Sequence, residues 1–174
     1  MTTTALLIKA HLYGVAMLVP ALVLLPWLVI RLVGAYAFEP GPIVRFGGIA
    51  LATAGFVLGY ACVLVFAMRG GGTACPASPP RYLVVDGPYR YLRNPMDAGT
   101  IAMVSGLGLA LGSWTYLGYA AVLTLALLLW IRHETTALDS TFGPAYRRYR
   151  QTTGRWIPRP QRQEGRSPWP RTSP

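Results

Sequence analysis

Two polar clusters in this chain carry residue types suited to chemistry. The first is Asp86-Gly87-Pro88-Tyr89-Arg90-Tyr91-Leu92-Arg93-Asn94-Pro95, in which two arginines alternate with two tyrosines and Asn94-Pro95 closes the run. The second, about forty residues on, is His133-Glu134 at the end of another apolar block. Together they offer guanidinium forks, ring faces and one carboxylate. No Ser-His-Asp arrangement is evident, and no histidine cluster has metal-ligand spacing, so no metal is expected. Apart from Asp97, no carboxylate falls near enough to Glu134 to pair with it for acid–base work. This inventory suits binding a zwitterionic cofactor with a cationic centre better than it suits hydrolysis. Gly70-Gly71-Gly72-Thr73 has the glycines of a phosphate cradle, but no lysine follows and no strand precedes it, so a P-loop is excluded. Cys62 reads as packing inside an apolar block, and with Cys75 it forms neither a zinc motif nor a disulfide framework.

The elements that must position these clusters are membrane helices. The 174 residues are 53% hydrophobic and only 13% charged, against about 25% charged in an average soluble domain. Leu12 to Val33 is nearly all apolar and long enough for a spanning helix, which needs about 20 residues. It is too long for the roughly 7–15-residue apolar core of a signal peptide. Pro20 and Pro26 should bend it, which a membrane tolerates where neighbours satisfy the freed carbonyls. Arg31 to Arg45 is a loop turning at Glu39-Pro40-Gly41-Pro42. Val44 to Met68 is a second span, with Gly55-Phe56-Val57-Leu58-Gly59 as a small-xxx-small packing step. Arg69 to Arg93 is the long polar connector, in which Leu83-Val84-Val85 is briefly extended.

Asn94-Pro95 then opens a helix, with Asn94 at the N-cap, proline first and Asp97 where a carboxylate meets the positive helix end. Pro95 to Leu111 carries a stripe of Ala102, Gly106 and Ala110. Gly112-Ser113 is a tight turn, and Trp114 to Ile131 returns as the second arm of a hairpin. The helix continues through Arg132-His133-Glu134 towards Phe142. Counting back from Glu134 gives Ile131, Trp130 and Leu127, an apolar face that would look into the bundle. A carboxylate on such a face is costly unless used. Gly143-Pro144 restarts a helix with Phe142, Tyr146 and Tyr149 on one face and Arg147, Arg148 and Arg150 on the other, a pattern suited to a headgroup surface. Gln161 to Pro174 is proline-rich, polar and expected to be disordered.

The expected fold is therefore all-α: a polytopic bundle of four transmembrane helices including a tight hairpin, plus a C-terminal amphipathic interfacial helix. Residues 1–68 would form an N-terminal two-helix region, 69–160 the core and 161–174 a tail. The net charge of +10 flanks apolar blocks and crowds the C-terminus, so it points to anionic lipid rather than nucleic acid. Arginine crowds the connector and the C-terminal region, which four spans place on one side. Both polar segments and both termini would then face the cytoplasm.

Gly87-Pro88-Tyr89-Arg90-Tyr91-Leu92-Arg93-Asn94-Pro95-Met96, with Glu134, Leu138, Phe142-Gly143, Tyr146, Tyr149 and Trp156-Ile157-Pro158, resembles the isoprenylcysteine carboxyl methyltransferase and phospholipid methyltransferase group. Gly72-Thr73, Pro79-Pro80 and Leu83-Val84 are similar to its bacterial members, and the likeness covers roughly residues 70–160. It implies a multi-pass methyltransferase, of a bacterial inner membrane, using S-adenosylmethionine (SAM) on the cytoplasmic side. The methyl acceptor would be a lipophilic molecule or lipid arriving from the bilayer. The resemblance places Leu83, Val84, Tyr89, Arg90, Asn94, Pro95, Met96, Asp97, His133 and Glu134 at the cofactor. Arg93 and Glu134 would be the catalytic residues, Arg93 holding the cofactor carboxylate or the substrate and Glu134 the cofactor's amino group or ribose. A tyrosine face near a sulfonium gains cation–π attraction. Catalysis would be mainly alignment, which can contribute ~7–11 kcal/mol.

Asp97 stands where the group usually has tyrosine, Thr135 where it often has a second glutamate, and Asn94 where histidine also occurs. These departures should narrow or change substrate choice. Two other classes compete. A sterol-reductase-like enzyme would bind NADPH, but its pattern continues with an acidic residue after the glycine, where Gly99 here precedes Thr100. A non-catalytic membrane protein or small transporter would show repeats or charges near mid-membrane, and no span has one.

Overall fold

The computed structural model describes residues 19–69 and 83–158, with residues 8, 12 and 14–16 ahead of them. The Gly70-Gly71-Gly72-Thr73 run, Cys75, Pro79-Pro80 and the tail from 161 onward lie outside the described residues. Among those described, the fold is all-helical: a π-helical turn Pro20–Leu24, α1 Leu25–Val33, α2 Pro42–Arg69, a 3-10 turn Gly87–Arg90, α3 Pro95–Leu111 and α4 Trp114–Thr152.

Three segments are long and apolar enough to cross a membrane: Gly14–Val33, Pro42–Phe66 and Trp114–Thr152. Their apolar side chains mostly face outward, with Ile43, Phe46, Val57, Val122, Leu125 and Leu129 all exposed. A soluble protein rarely exposes apolar patches of that extent, whereas lipid accepts them. α3 has 17 residues, or about 25 Å at 1.5 Å per residue, short of the ~30 Å hydrocarbon core. The fourth expected span is thus an apolar helix of lesser length. α2 begins two residues earlier than the apolar run suggests, because Pro42 occupies its first position.

The prolines of the first helix leave carbonyls without donors, and α4 supplies them. The turn from Pro20 runs in the wider π register, with Leu25 N donating to Pro20 O. Pro26 has no N–H, so it cannot donate to the carbonyls preceding it. Tyr116 Oη donates to Leu22 O at 2.7 Å, and Tyr119 Oη donates to Ala21 O at 2.8 Å. These bonds tie the bent first helix to the start of α4.

At that same end, the loop after α1 clasps the α3–α4 turn. Phe38 N donates to Gly112 O at 2.7 Å and Trp114 N to Tyr36 O at 2.9 Å, while Thr115 Oγ1 donates to Gly34 O at 2.9 Å. Gly112 ends α3 at φ 61°, and a Cβ there would strike Phe38 O and Pro40; the turn requires glycine on both counts. Ser113 caps α4 by accepting from Tyr116 N at 3.2 Å.

α2 and α3 pack backbone to backbone along the two small-residue stripes. A Cβ on Gly55 would lie 2.5 Å from Gly99 O, and one on Gly48 would lie 2.6 Å from Ala110 N. A Cβ on Gly106 would meet Ala52 N. Ala102, Gly106 and Ala110 thus serve as the sequence suggests. On α2 the contacting series is Gly48, Ala52, Gly55 and Gly59: a Cβ on Gly59 itself would meet open space, but one on Gly99 would lie 3.0 Å from Gly59 N. This packing fixes α3 against α2, so the connector emerges at the end opposite the α3–α4 turn.

Candidate functional site

The connector is pinned first to α2. Gly87, at φ 59°, lies so close to Val65 that a Cβ would sit 2.7 Å from Val65 Cγ2. Val84 and Tyr89 are buried with Cys62, and Val65, Phe66 and Met96 pack against them. The Tyr89 ring meets Phe66 edge-on at 5.2 Å. Its hydroxyl donates to the Cys62 sulfur, so Cys62 does more than fill space. Burial pushes the Tyr89 phenol well up, and the nearby Cys62, Glu134 and Asp97 push it further; it stays a neutral donor at physiological pH.

Tyr89 therefore lies where α2 meets the start of α3, packed with Cys62 and Met96, and the charges of Glu134 and Asp97 are near enough to raise its phenol. Asn94 occupies the N-cap position of α3, but its side chain makes no capping bond. It donates instead to Asp97 Oδ2 at 3.3 Å. That contact orients the Asp97 carboxylate at the helix start, where the macrodipole favours it.

The second pin comes from the far end of α4. This helix runs 39 residues, nearly 60 Å at 1.5 Å per residue, far more than a bilayer core needs. Gly143 breaks it at φ 50°, ψ −122°. Beyond that kink, Tyr146 and Tyr149 are buried while Arg147, Arg148 and Arg150 are exposed. The two rings do not lie on a lipid surface as the sequence pattern suggests. Tyr149 Oη donates to Tyr89 O at 2.7 Å and to Leu92 O at 3.3 Å. Arg93 N then donates to Gly154 O at 2.8 Å. The connector is thus held between α2 and the end of α4.

Tyr149→Phe removes the one hydroxyl that reaches those two carbonyls. Leaving a buried acceptor unpaired costs about 1–3 kcal/mol. The expected result is a lowered thermal midpoint in detergent and faster hydrogen exchange across residues 89–93, with α2 and α3 amides unchanged.

The expected site residues fall into two groups. Val84, Tyr89 and Met96 pack together in the first, Asn94 is bonded to Asp97 at the start of α3, where Pro95 is buried, and Glu134 is close enough to raise the Tyr89 phenol. Leu83 is half-buried next to Val84. Arg90 and His133 are exposed, and no contact among the described residues ties either to this group. Glu134 is itself on an exposed stretch. The inward face of α4 runs through Ile131, which is 1% exposed, and not through Trp130, which is 56% exposed. Glu134 therefore sits at the rim of the Tyr89 group instead of deep inside it.

Arg93 belongs to the second group. Burial lowers its pKa first, and the positive charge of Arg155, then that of Arg150, lowers it further, while Tyr146 and Tyr149 counter this. Its Nε is buried with no hydrogen-bond partner among the described residues. No ion pair among those residues joins Arg93 to Glu134. The two expected catalytic residues, one on the connector and one on α4, are thus not paired. Cys62, Tyr149, Arg150 and Arg155 were not among the cofactor or catalytic residues expected from sequence. The paired spacing of Tyr146 and Tyr149 behind a Gly-Pro break was the available signal for the α4 latch.

Among the described residues no cluster of three or more His, Cys, Asp or Glu could hold a metal. No curated protein and no solved structure matches the chain. The phospholipid methyltransferase family matches residues 44–145, which take in α2, the connector, α3 and α4 as far as Ala145. With the match covering more than half of this helical chain, which has three membrane-length spans, the chain belongs to the phospholipid methyltransferase family.

Proposed function

We propose that the chain is an integral-membrane methyltransferase that takes its methyl group from SAM and delivers it to a lipophilic acceptor entering from the bilayer. The observation that carries this reading is the pinned connector, which holds Tyr89 against α2 and Met96, leads into Asn94 bonded to Asp97, and ties Arg93 to Gly154 beyond α4.

The donor set fits such a cofactor. The orphaned, buried Arg93 Nε suits a carboxylate. Glu134 and Asp97 suit an amino group and ribose hydroxyls. Bound SAM supplies an electrophilic methyl on a sulfonium. The protein's share is placement. Val84, Tyr89 and Met96 form a dry wall, the Asn94 amide fixes Asp97, and Tyr149 locks the connector against α4. A clamped connector holds its partners in one geometry, the condition under which alignment lowers a barrier. Tyr89 contributes mainly as that anchor, since its ring already packs on Phe66 and its hydroxyl on Cys62. Leu83 extends the wall, and Arg90 and His133 serve at the mouth of the site.

In this reading α3 crosses the bilayer as a fourth, shorter span beside α2, and the arginine-rich face beyond Gly143 rests on headgroups. Residues 1–68 then anchor the core, 69–160 perform the chemistry, and both polar segments and both termini face the cytoplasm of a bacterial inner membrane. The acceptor is a lipid amine, an isoprenylcysteine-like carboxylate or a small lipophilic molecule.

The test is a titration of the full chain in detergent with S-adenosylhomocysteine, SAM and NADPH. Saturable binding of the two adenosyl compounds, with none of NADPH, is expected. Binding of NADPH alone would overturn the assignment.

A further inference from the structure

The second group of residues contains more than the cofactor reading uses. Arg93 N is bonded to Gly154 O at 2.8 Å, and Leu92 and Gly154 pair as a short parallel bridge. This places Arg155, the residue after Gly154, alongside Arg93. Arg150 follows Tyr149, whose hydroxyl reaches Leu92 O at 3.3 Å. Arg93 and Arg155 are therefore brought together by a backbone bond and Arg150 is brought near by the Tyr149 hydroxyl, with no ion pair to an acid among the described residues. Both ion pairs among the described residues lie elsewhere, at Arg69–Asp86 and Arg147–Asp139. Arg93 is half-buried and Arg155 also, while Arg150 is exposed.

Like charges held together without a counter-charge cost free energy, and an unpaired buried donor adds to it. The Arg93 Nε is such a donor. The nearby Tyr149 Oη donates to Tyr89 O and Leu92 O and does not accept from this Nε. An oxyanion answers all of this at once. It neutralises the cluster, accepts from Nε and suits the planar fork of arginine. Arg150 and Arg155 also lie beyond the residues that match the family, so family membership says nothing of them.

We propose that Arg93, Arg150 and Arg155 form an oxyanion subsite, taking a phosphate or carboxylate group at the seam between the connector and the end of α4. The subsite rests on the methyltransferase reading only for what carries the anion, either the headgroup of an incoming lipid or the amino-acid end of the cofactor. As a binding site for free anions it stands apart from that reading.

The experiment titrates the full chain, in uncharged detergent, with glycerol 3-phosphate and, separately, with S-adenosylhomocysteine and its decarboxylated analogue. It is repeated on the double variant Arg150→Gln/Arg155→Gln and on Arg150→Lys/Arg155→Lys. Both variant pairs keep Arg93 and its backbone bonds, and thermal midpoints confirm folding. If a lipid headgroup is the source, glycerol 3-phosphate binds the native chain and at least tenfold more weakly the glutamine variant, with the lysine variant between. S-adenosylhomocysteine affinity then stays unchanged. If the cofactor is the source, the decarboxylated analogue binds the native chain at least tenfold more weakly than S-adenosylhomocysteine, and the glutamine variant erases that difference. Phosphate and cofactor affinities that both move less than twofold in a folded glutamine variant would overturn the subsite. Failure of the methyltransferase reading looks different: the native chain then ignores both adenosyl compounds whatever the phosphate titration shows.

Discussion

Glu134→Gln is expected to weaken SAM binding by roughly ten- to 150-fold while leaving the fold intact. The size follows from the bond at stake. Hydrogen bonds to a charged partner are worth about 1.5–3 kcal/mol, and each 1.4 kcal/mol is a factor of ten. Glutamine keeps the volume and one acceptor oxygen but replaces the second with a donor, which an amino group or ribose hydroxyl meets poorly. The fold should survive because Glu134 lies on an exposed stretch of α4 and makes no ion pair among the described residues. Calorimetric titration with S-adenosylhomocysteine gives the affinity, and a thermal melt in detergent gives the control. An unchanged affinity in a folded variant would favour a membrane protein with the family fold and no cofactor.

The elements of this fold are legible in the sequence because lipid enforces them. Apolar blocks of span length, Asn94-Pro95 at a helix start and Gly112-Ser113 at the hairpin turn have few other readings, whereas Pro42 read as part of a turn and instead opens α2. The small residues of α2 and α3 announced close packing, although the partner of Gly55 is Gly99 and the series continues through Ala52 to Gly48. Which face of α4 looks inward was not legible. In a helix surrounded by lipid, apolar side chains do not distinguish lipid from protein, so Trp130 and Ile131 read alike although only Ile131 is buried. The direction of Tyr146 and Tyr149 was hidden for a different reason. Helical periodicity fails to carry across Gly143, whose φ of 50° re-aims everything after it. Arginines on one polar run read as one group, yet the connector folds so that Tyr89 faces α2 while Arg93 faces the end of α4.

The largest loss of stability is expected from Gly106→Val. The added Cβ meets Ala52 N and lies 2.6 Å from Gly48 O, both backbone atoms of α2, so no side chain can turn aside. Overpacking typically costs 1–3 kcal/mol, and this case should reach about the top of that range, because two helices must separate along their contact. Gly55→Val should behave alike, with its Cβ 2.5 Å from both Gly99 O and Met103 N. Gly47→Ala is the matched control. It also lies within α2, a Cβ there has nothing within 4 Å, and alanine improves a helix interior by up to ~1 kcal/mol. Its thermal midpoint should hold or rise while the two valine variants fall. Equal midpoints in all three would mean that α2 and α3 are not in backbone contact. The consequence reaches the site as well. α3 carries Asn94 and Asp97 at the end where α2 carries Cys62, so spreading the helices pulls Asp97 away from Tyr89. The valine variants should lose cofactor affinity without a changed residue at the site. The Tyr149→Phe variant, by contrast, loosens only the connector. A loss of affinity that tracks the α2–α3 contact would locate the positioning of this site in the packing of two glycine-lined helices.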